Sequence, residues 1–339
     1  MFKKLMNSYY YGKAGKGDLT TDDLPSNRWQ LFLETLRVRF SALIRLNLMH
    51  VLVWLPCIIV LILNLSAAIS VSNQMDLGDG TSYQTRAVDA AEIDAAEGTE
   101  IPERQPVLSA EETRDNLKGI LFTTLLFLFP CIAITGPATA GVSYVTRNWA
   151  RDEHAFIWSD FKDAVKENWK QSLVVSVITG AMPLVVYTAW TFYGDMATRS
   201  PLAVVPQVLV LMLGIIWALA VTYMHPLIVS YRQSLGQILR NAVLLAVARL
   251  PMSIGIRLLH MVPLAIFFLI ALWGNTLIAI MVGALYYVII GFSLSRFITA
   301  SYTNGVFDRF INARIEGAKV NRGLRAPDND EDDEEEPEE

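Results

Sequence analysis

The chain has 339 residues, 53% hydrophobic and only 18% charged, with a mean hydropathy of +0.36. Because the apolar residues come in long blocks, this is a membrane composition and excludes an ordinary water-soluble domain. The net charge of −5 misleads, since Pro327 to Glu339 carries ten carboxylates and no base, leaving the rest of the chain at +5.

The first predicted segment, residues 1–46, opens with a Gly-rich basic run, Tyr10 to Asp18, that lacks the GxxxxGK[ST] spacing of a phosphate-binding loop and reads as a flexible tether. An amphipathic stretch follows, with Phe32, Leu33, Leu36, Phe40, Leu43 and Ile44 on one helical face. A helix of this kind is expected to lie in the membrane interface.

Spans were sought as runs free of Asp, Glu, Lys and Arg, because about 20 apolar residues cross the roughly 30 Å of hydrocarbon. Leu46 to Met75 predicts span one, placed at 47–72. A cleaved signal peptide is the rival reading, but the apolar core is too long and too far from the start. Residues 73–118 then form an acidic external loop, with 11 acids against 4 bases between Asp76 and Lys118. Gly119 to Thr146, Gln171 to Gly194 and Ser200 to Tyr231 predict spans two, three and four. Leu258 to Ser295 would measure about 57 Å as one helix, so it must fold back at Trp273-Gly274-Asn275 into span five, 252–272, and span six, 276–295. Residues 312–339 are a tail, acidic and disordered from 327.

Further amphipathic stretches precede span three (Phe161, Ala164, Val165, Asn168, Trp169) and span five (Leu235, Ile238, Leu239, Ala242). Spans two and four are expected to end where Pro137 and Pro226 interrupt the helix. The predicted fold is therefore all-α and polytopic: six spans in three hairpins, introduced by interfacial helices. With the amino terminus inside, the segments 1–46, 147–170, 232–257 and 296–325 hold 23 of the 28 Lys and Arg, which places both termini in the cytoplasm. This basic face would favour anionic inner-leaflet lipid, and nucleic acid is the less economical partner.

No predicted span holds an Asp or Glu, which argues against ion-coupled transport through a carboxylate relay. Arg257 is the one base read as lying within a span; it either snorkels to the interface or pairs with a group such as a head-group phosphate. His260 lies near the same helix face and either joins it in a small polar site or packs as a satisfied core residue. His50, Asn47 and Asn64 read as helix-helix hydrogen bonders. Cys57 and Cys131 sit inside spans, and neither a disulfide framework, a metal site nor any cofactor is implied. Gly136, Pro137, Ala138 and Thr139, four residues of a GPATA run, either line a substrate path or make a tightly packed corner.

That run, followed by Tyr144-Val145-Thr146-Arg147-Asn148-Trp149, by FKDAVKENWKQS from Phe161 to Ser172, by His225-Pro226-Leu227-Ile228 and by NGVFDRF from Asn304 to Phe310, resembles the YesL-type family of bacterial membrane proteins. The resemblance makes 119–311 a YesL-like membrane domain and marks Trp149 with the GPATA residues as a motif. Family members pass almost directly from their first apolar stretch to this block, whereas here residues 73–118 intervene. The family is of unknown function, and its members resemble accessory proteins encoded beside carbohydrate uptake systems. The resemblance implies a non-enzymatic component of the bacterial cell membrane, associated with subunits of a sugar ABC transporter. An independent permease with a path between hairpins is the alternative expectation, and a lipid-acting enzyme using Arg257 and His260 a remote one.

Overall fold

The computed structural model describes residues 24–94, 102–274 and 276–325. In chain order its helices are α1 (Arg28–Asn73), α2 (Tyr83–Asp94), α3 (Ala110–Trp149), α4 (Ser159–Ala197), α5 (Val204–Ser230), α6 (Leu235–Ala248), α7 (Leu250–Trp273), α8 (Thr276–Tyr286) and α9 (Phe292–Phe310). A π-helical turn, Tyr287–Gly291, joins α8 to α9 as one rod. Among the described residues the only extended pairing is an isolated bridge between Met75 and Leu108. Among the described residues six rods are long and apolar enough to cross a membrane: α1, α3, α4, α5 with the short turn before it, α7, and α8 continued through α9. The Tyr10 to Asp18 run, Asn275 and the acidic run from Pro327 lie outside the described residues.

Surface chemistry identifies the solvent of these rods. On α1, Leu52, Leu55, Ile59, Ile62 and Leu63 face outward, and α5 and α7 present similar rows. Withdrawing one such side chain from water is worth roughly 1.5–3 kcal/mol. Leaving all of them wet would outweigh the roughly 5–15 kcal/mol that holds a domain folded. This is a multi-pass membrane protein.

The rods are longer than the spans read from sequence. At 46, 40 and 39 residues, α1, α3 and α4 measure about 69, 60 and 58 Å, roughly twice the hydrocarbon thickness. Their extra turns account for two of the three expected interfacial helices. Residues 32–44 and 161–169 are not separate elements lying in a membrane plane but the first turns of α1 and α4. Only α6 is separate, broken from α7 at Arg249; Pro251 falls in the first turn of α7, where its missing N–H would have had no helical partner.

Protein, not lipid, covers the buried parts of these amphipathic segments. Leu43 and Leu46 of α1 pack with Val142, Val145 and Trp149 of α3 and with Phe297 of α9. Ile238 and Ala242 of α6 pack with Tyr223, Met224 and Leu227 of α5 and with Phe307. On α1 the buried stripe runs Leu31, Thr35, Ala42, Leu43, Leu46, while Leu33 and Phe40 of the predicted face stay exposed. These two clusters form a layer at one end of the bundle, the basic end. The expected breaks at Pro137 and Pro226 are also absent. Both prolines lie inside continuous helices, and residues 138–149 of α3 and 219–229 of α5 are largely buried around them.

The tightest contact is between α3 and α4. A Cβ on Gly136 would collide with the Ser172 carbonyl oxygen; one on Gly180 would come to 2.7 Å from the Phe129 carbonyl, and one on Gly141 to 2.5 Å from the Phe161 ring. Three glycines at successive levels therefore let two backbones close together. By contrast α7 buries only Ser253 and touches mainly α8, with slight contact to α5 and α6. Cys57 and Cys131 are both free and stand as neighbours where α1 meets α3.

At the far end the acidic loop is ordered where it is described. Backbone hydrogen bonds Asp76 N to Leu108 O and Leu108 N to Gln74 O, both 2.8 Å, close its base. Arg86 pairs with Asp79 at 2.6 Å, and Arg104 bridges Asp89 and Glu92. A capping box between Ser109 and Glu112 then starts α3.

Candidate functional site

The polar interior begins where the π-helical turn widens α8. A π turn leaves carbonyls without their usual helical partners, and Asn47 of α1 supplies them. Its Nδ2 donates to Tyr287 O and Val288 O at 2.8 Å each, and its Oδ1 accepts from Ser293 N at 2.9 Å. One α1 turn further, Trp54 Nε1 donates to His50 Nε2 at 3.2 Å, and both rings lie against Phe292. Asn47 is thus the helix-helix bonder the sequence suggested, while His50 bonds only Trp54 and Asn64 only Val60 O, each within α1.

Around this clamp the structure gathers a cationic centre. Arg296, on the first turns of α9, lies within electrostatic reach of His50, His225, His260 and Arg257. His260 Nδ1 lies 2.6 Å from Ile256 O, and its Nε2 lies 3.0 Å from Ser295 O and 3.3 Å from Thr299 Oγ1. Both nitrogens of the buried His225 and the Nε of Arg257 are enclosed without a hydrogen-bond partner. Among the described residues no carboxylate pairs with Arg257 or Arg296. An arginine at the helix centre in hydrocarbon costs about 2.5–3.5 kcal/mol on insertion scales, so two unpaired ones mark a site more readily than they stabilise a fold.

Nearer the basic end, a hydroxyl chain links three helices: the Tyr223 and Ser253 hydroxyls are 2.7 Å apart, and the Tyr223 and Tyr302 hydroxyls 2.8 Å. Cavities flank α7 on both sides. One of about 390 Å³ lies between α7 and the α4–α5 hairpin, with Arg257 in its wall. A larger one of about 610 Å³ lies between α7, the start of α1 and α9. Both fall in the size range of small-molecule sites.

Arg257 and His260 therefore do share a polar region, and it includes a second arginine, Arg296, that sequence reading missed. Arg296 follows Ser295, the last residue of the fifth charge-free run, so a search for charge-free runs placed it outside by construction. The GPATA residues lie elsewhere. Gly136 is buried in the α3–α4 contact; Ala138 and Thr139 are buried on α3 with Pro137 half-buried beside them, and Thr139 Oγ1 donates to Thr135 O of its own helix at 2.9 Å. Trp149 ends α3 in the basic-end core, with Nε1 3.4 Å from Ala155 O.

The motif segments nevertheless converge at that end. Arg147 Nη1 donates to Val229 O at 2.6 Å, Asn304 Nδ2 to Arg147 O at 3.3 Å, and Gln171 Nε2 to Gln233 O at 2.8 Å. Asp308 pairs with Arg28 at 2.7 Å.

Fold and site define a multi-pass all-α membrane protein with a cationic, carboxylate-free centre among its described residues. Within it, residues 118–190, which cover α3 from Lys118 and most of α4, match a family described as a protein of unknown function, DUF624. No curated protein and no solved structure matches the chain.

Proposed function

We propose that the chain is a non-enzymatic, YesL-like accessory component of carbohydrate uptake in the bacterial cell membrane, with both termini cytoplasmic. The observation that carries the accessory reading is the α7–α8 hairpin. Ser253 is the one fully buried residue of α7, and apolar rows such as Leu258, Met261 and Leu264 are open to a partner helix. Subunits of a sugar ABC transporter are the proposed partners. Orientation follows the same charge argument as before: Arg37, Arg147, Arg249 and Arg309 belong to the end where bases concentrate, and short basic segments stay inside.

Deleting the gene and measuring uptake of each available glycan tests the reading. Reduced uptake of at least one glycan, with a transporter subunit cross-linking to α7, is expected. Unchanged uptake throughout with no such subunit would overturn it. The cavity between α7 and the α4–α5 hairpin favours a second reading, a permease with a path between hairpins. Purified protein in liposomes would then pass solute unaided, with anions affected most by Arg257→Gln.

A further inference from the structure

The larger cavity, of about 610 Å³, has a polarity gradient along its length. Its mouth is set by Arg28 at the start of α1, Arg249 immediately before α7 and Arg309 at the end of α9. Because α1 and α7 run away from the basic end and α9 runs towards it, these three guanidinium groups meet at one level. Going inward, the walls turn apolar: Phe32 on α1, Met252, Ile256 and Leu259 on α7, Ile298 on α9. Arg249 to Leu259 spans ten helical steps, about 15 Å.

The mouth is electrostatically unfinished. Arg28 pairs with Asp308 at 2.7 Å, but no carboxylate pairs with Arg249 or Arg309 among the described residues. The Nε of Arg249 and the hydroxyl of Ser301, both lining the cavity, are enclosed without a hydrogen-bond partner. Tyr302 adds a ring held in place through Tyr223.

We infer that this cavity binds one anionic phospholipid of the surrounding bilayer, its phosphate between Arg249 and Arg309 and a chain lying along Met252, Ile256 and Leu259. Charge complementarity selects the head group, since guanidinium forks match phosphate oxygens. The gradient selects an amphiphile over a free anion, because a free phosphate would leave the apolar wall unused. The outward exposure of Met252 and Leu259 opens the groove laterally to lipid. This inference is independent of any role in uptake.

Native mass spectrometry of the full chain, released from mixed phosphatidylglycerol and phosphatidylcholine bilayers with matched chains, tests it. One phosphatidylglycerol should remain per chain, and Arg249→Gln with Arg309→Gln should weaken its retention at least tenfold. Met252→Trp should weaken it too, with every charge intact, whereas Arg37→Gln with Arg45→Gln, outside the groove, should not. Equal retention of both lipids, or displacement by inorganic phosphate alone, would overturn the inference. So would an unchanged double variant of intact thermal stability. Truncation after Ala326 removes the chain's own run of carboxylates; a tenfold rise in lipid retention would assign the groove to that tail instead.

Discussion

The α3–α4 pair and the α7–α8 hairpin both belong to rods apolar enough to cross a membrane and are held in opposite ways. In the first, glycines at 136, 141 and 180 bring backbone against backbone and side chain. In the second, α7 is flanked by cavities and buries a single side chain, Ser253. Hydropathy drives both into the bilayer but cannot tell them apart, because lipid is as good a solvent for Leu as another helix. Close packing and buried polar contacts decide which helices stay fixed. In this chain the fixed pair carries the matched family segment, and the loose hairpin carries Arg257 and His260.

The largest effect that would break this contrast is a glycine substitution. Gly136→Val places atoms on the Ser172 carbonyl and should cost at least the roughly 1–3 kcal/mol of an overpacked core. Gly255→Ala in α7, where a Cβ meets nothing, should instead stabilise by about 0.5–1 kcal/mol through helix propensity. Thermal unfolding in detergent should show the two midpoints moving in opposite directions. Asn47→Ala comes next: it strips partners from Tyr287 O, Val288 O and Ser293 N and should cost about 1–3 kcal/mol. A midpoint equal to wild type would mean that the π-helical turn does not depend on this clamp.

A smaller effect of opposite sign is expected in the cationic centre. Arg296→Gln should raise thermal stability in detergent by about 1 kcal/mol, because it removes an unpaired cation from the bundle. A fall would show that Arg296 is a structural anchor. The smallest effect lies in the acidic loop. Hydrogen bonds from Thr81, with Arg86 beside it, hold the Asp79 carboxyl below the usual carboxylate range. A depressed group contributes stability above its unfolded pKa, about 3.9, and loses it as pH falls through the folded value. Protection factors of residues 76–86, with the intrinsic pH dependence of exchange divided out, should therefore be unchanged between pH 7 and 5 and fall below about 4, and Asp79→Asn should remove that dependence.

Much of the fold was legible in the sequence for one physical reason. Burying charge in hydrocarbon is so costly that charge-free runs mark spans, and the Trp273-Gly274 turn follows from length alone. The same rule hid Arg296, which sits inside the last rod because protein rather than lipid surrounds the basic end. It also made Phe32 to Ile44 read as an interfacial helix: periodicity shows that a face is apolar, not whether lipid or Val142 and Phe297 will cover it. The GPATA run read as a packed corner ahead of a path but left both open, because small residues permit close approach without naming what approaches. The Tyr223, Ser253 and Tyr302 chain left no signal, since its members are far apart in sequence.

The contrast between the two helix pairs is tested most directly by spin-label distances in nanodiscs. The chain has only two cysteines, so Cys57→Ser with Cys131→Ser gives a clean background. Labels at Phe127 on α3 and Val185 on α4, both outward-facing, should give a narrow distance distribution, and labels at Phe127 and Leu258 on α7 a broad one. Equal widths would contradict the account, because α7 would then be as firmly held as α4.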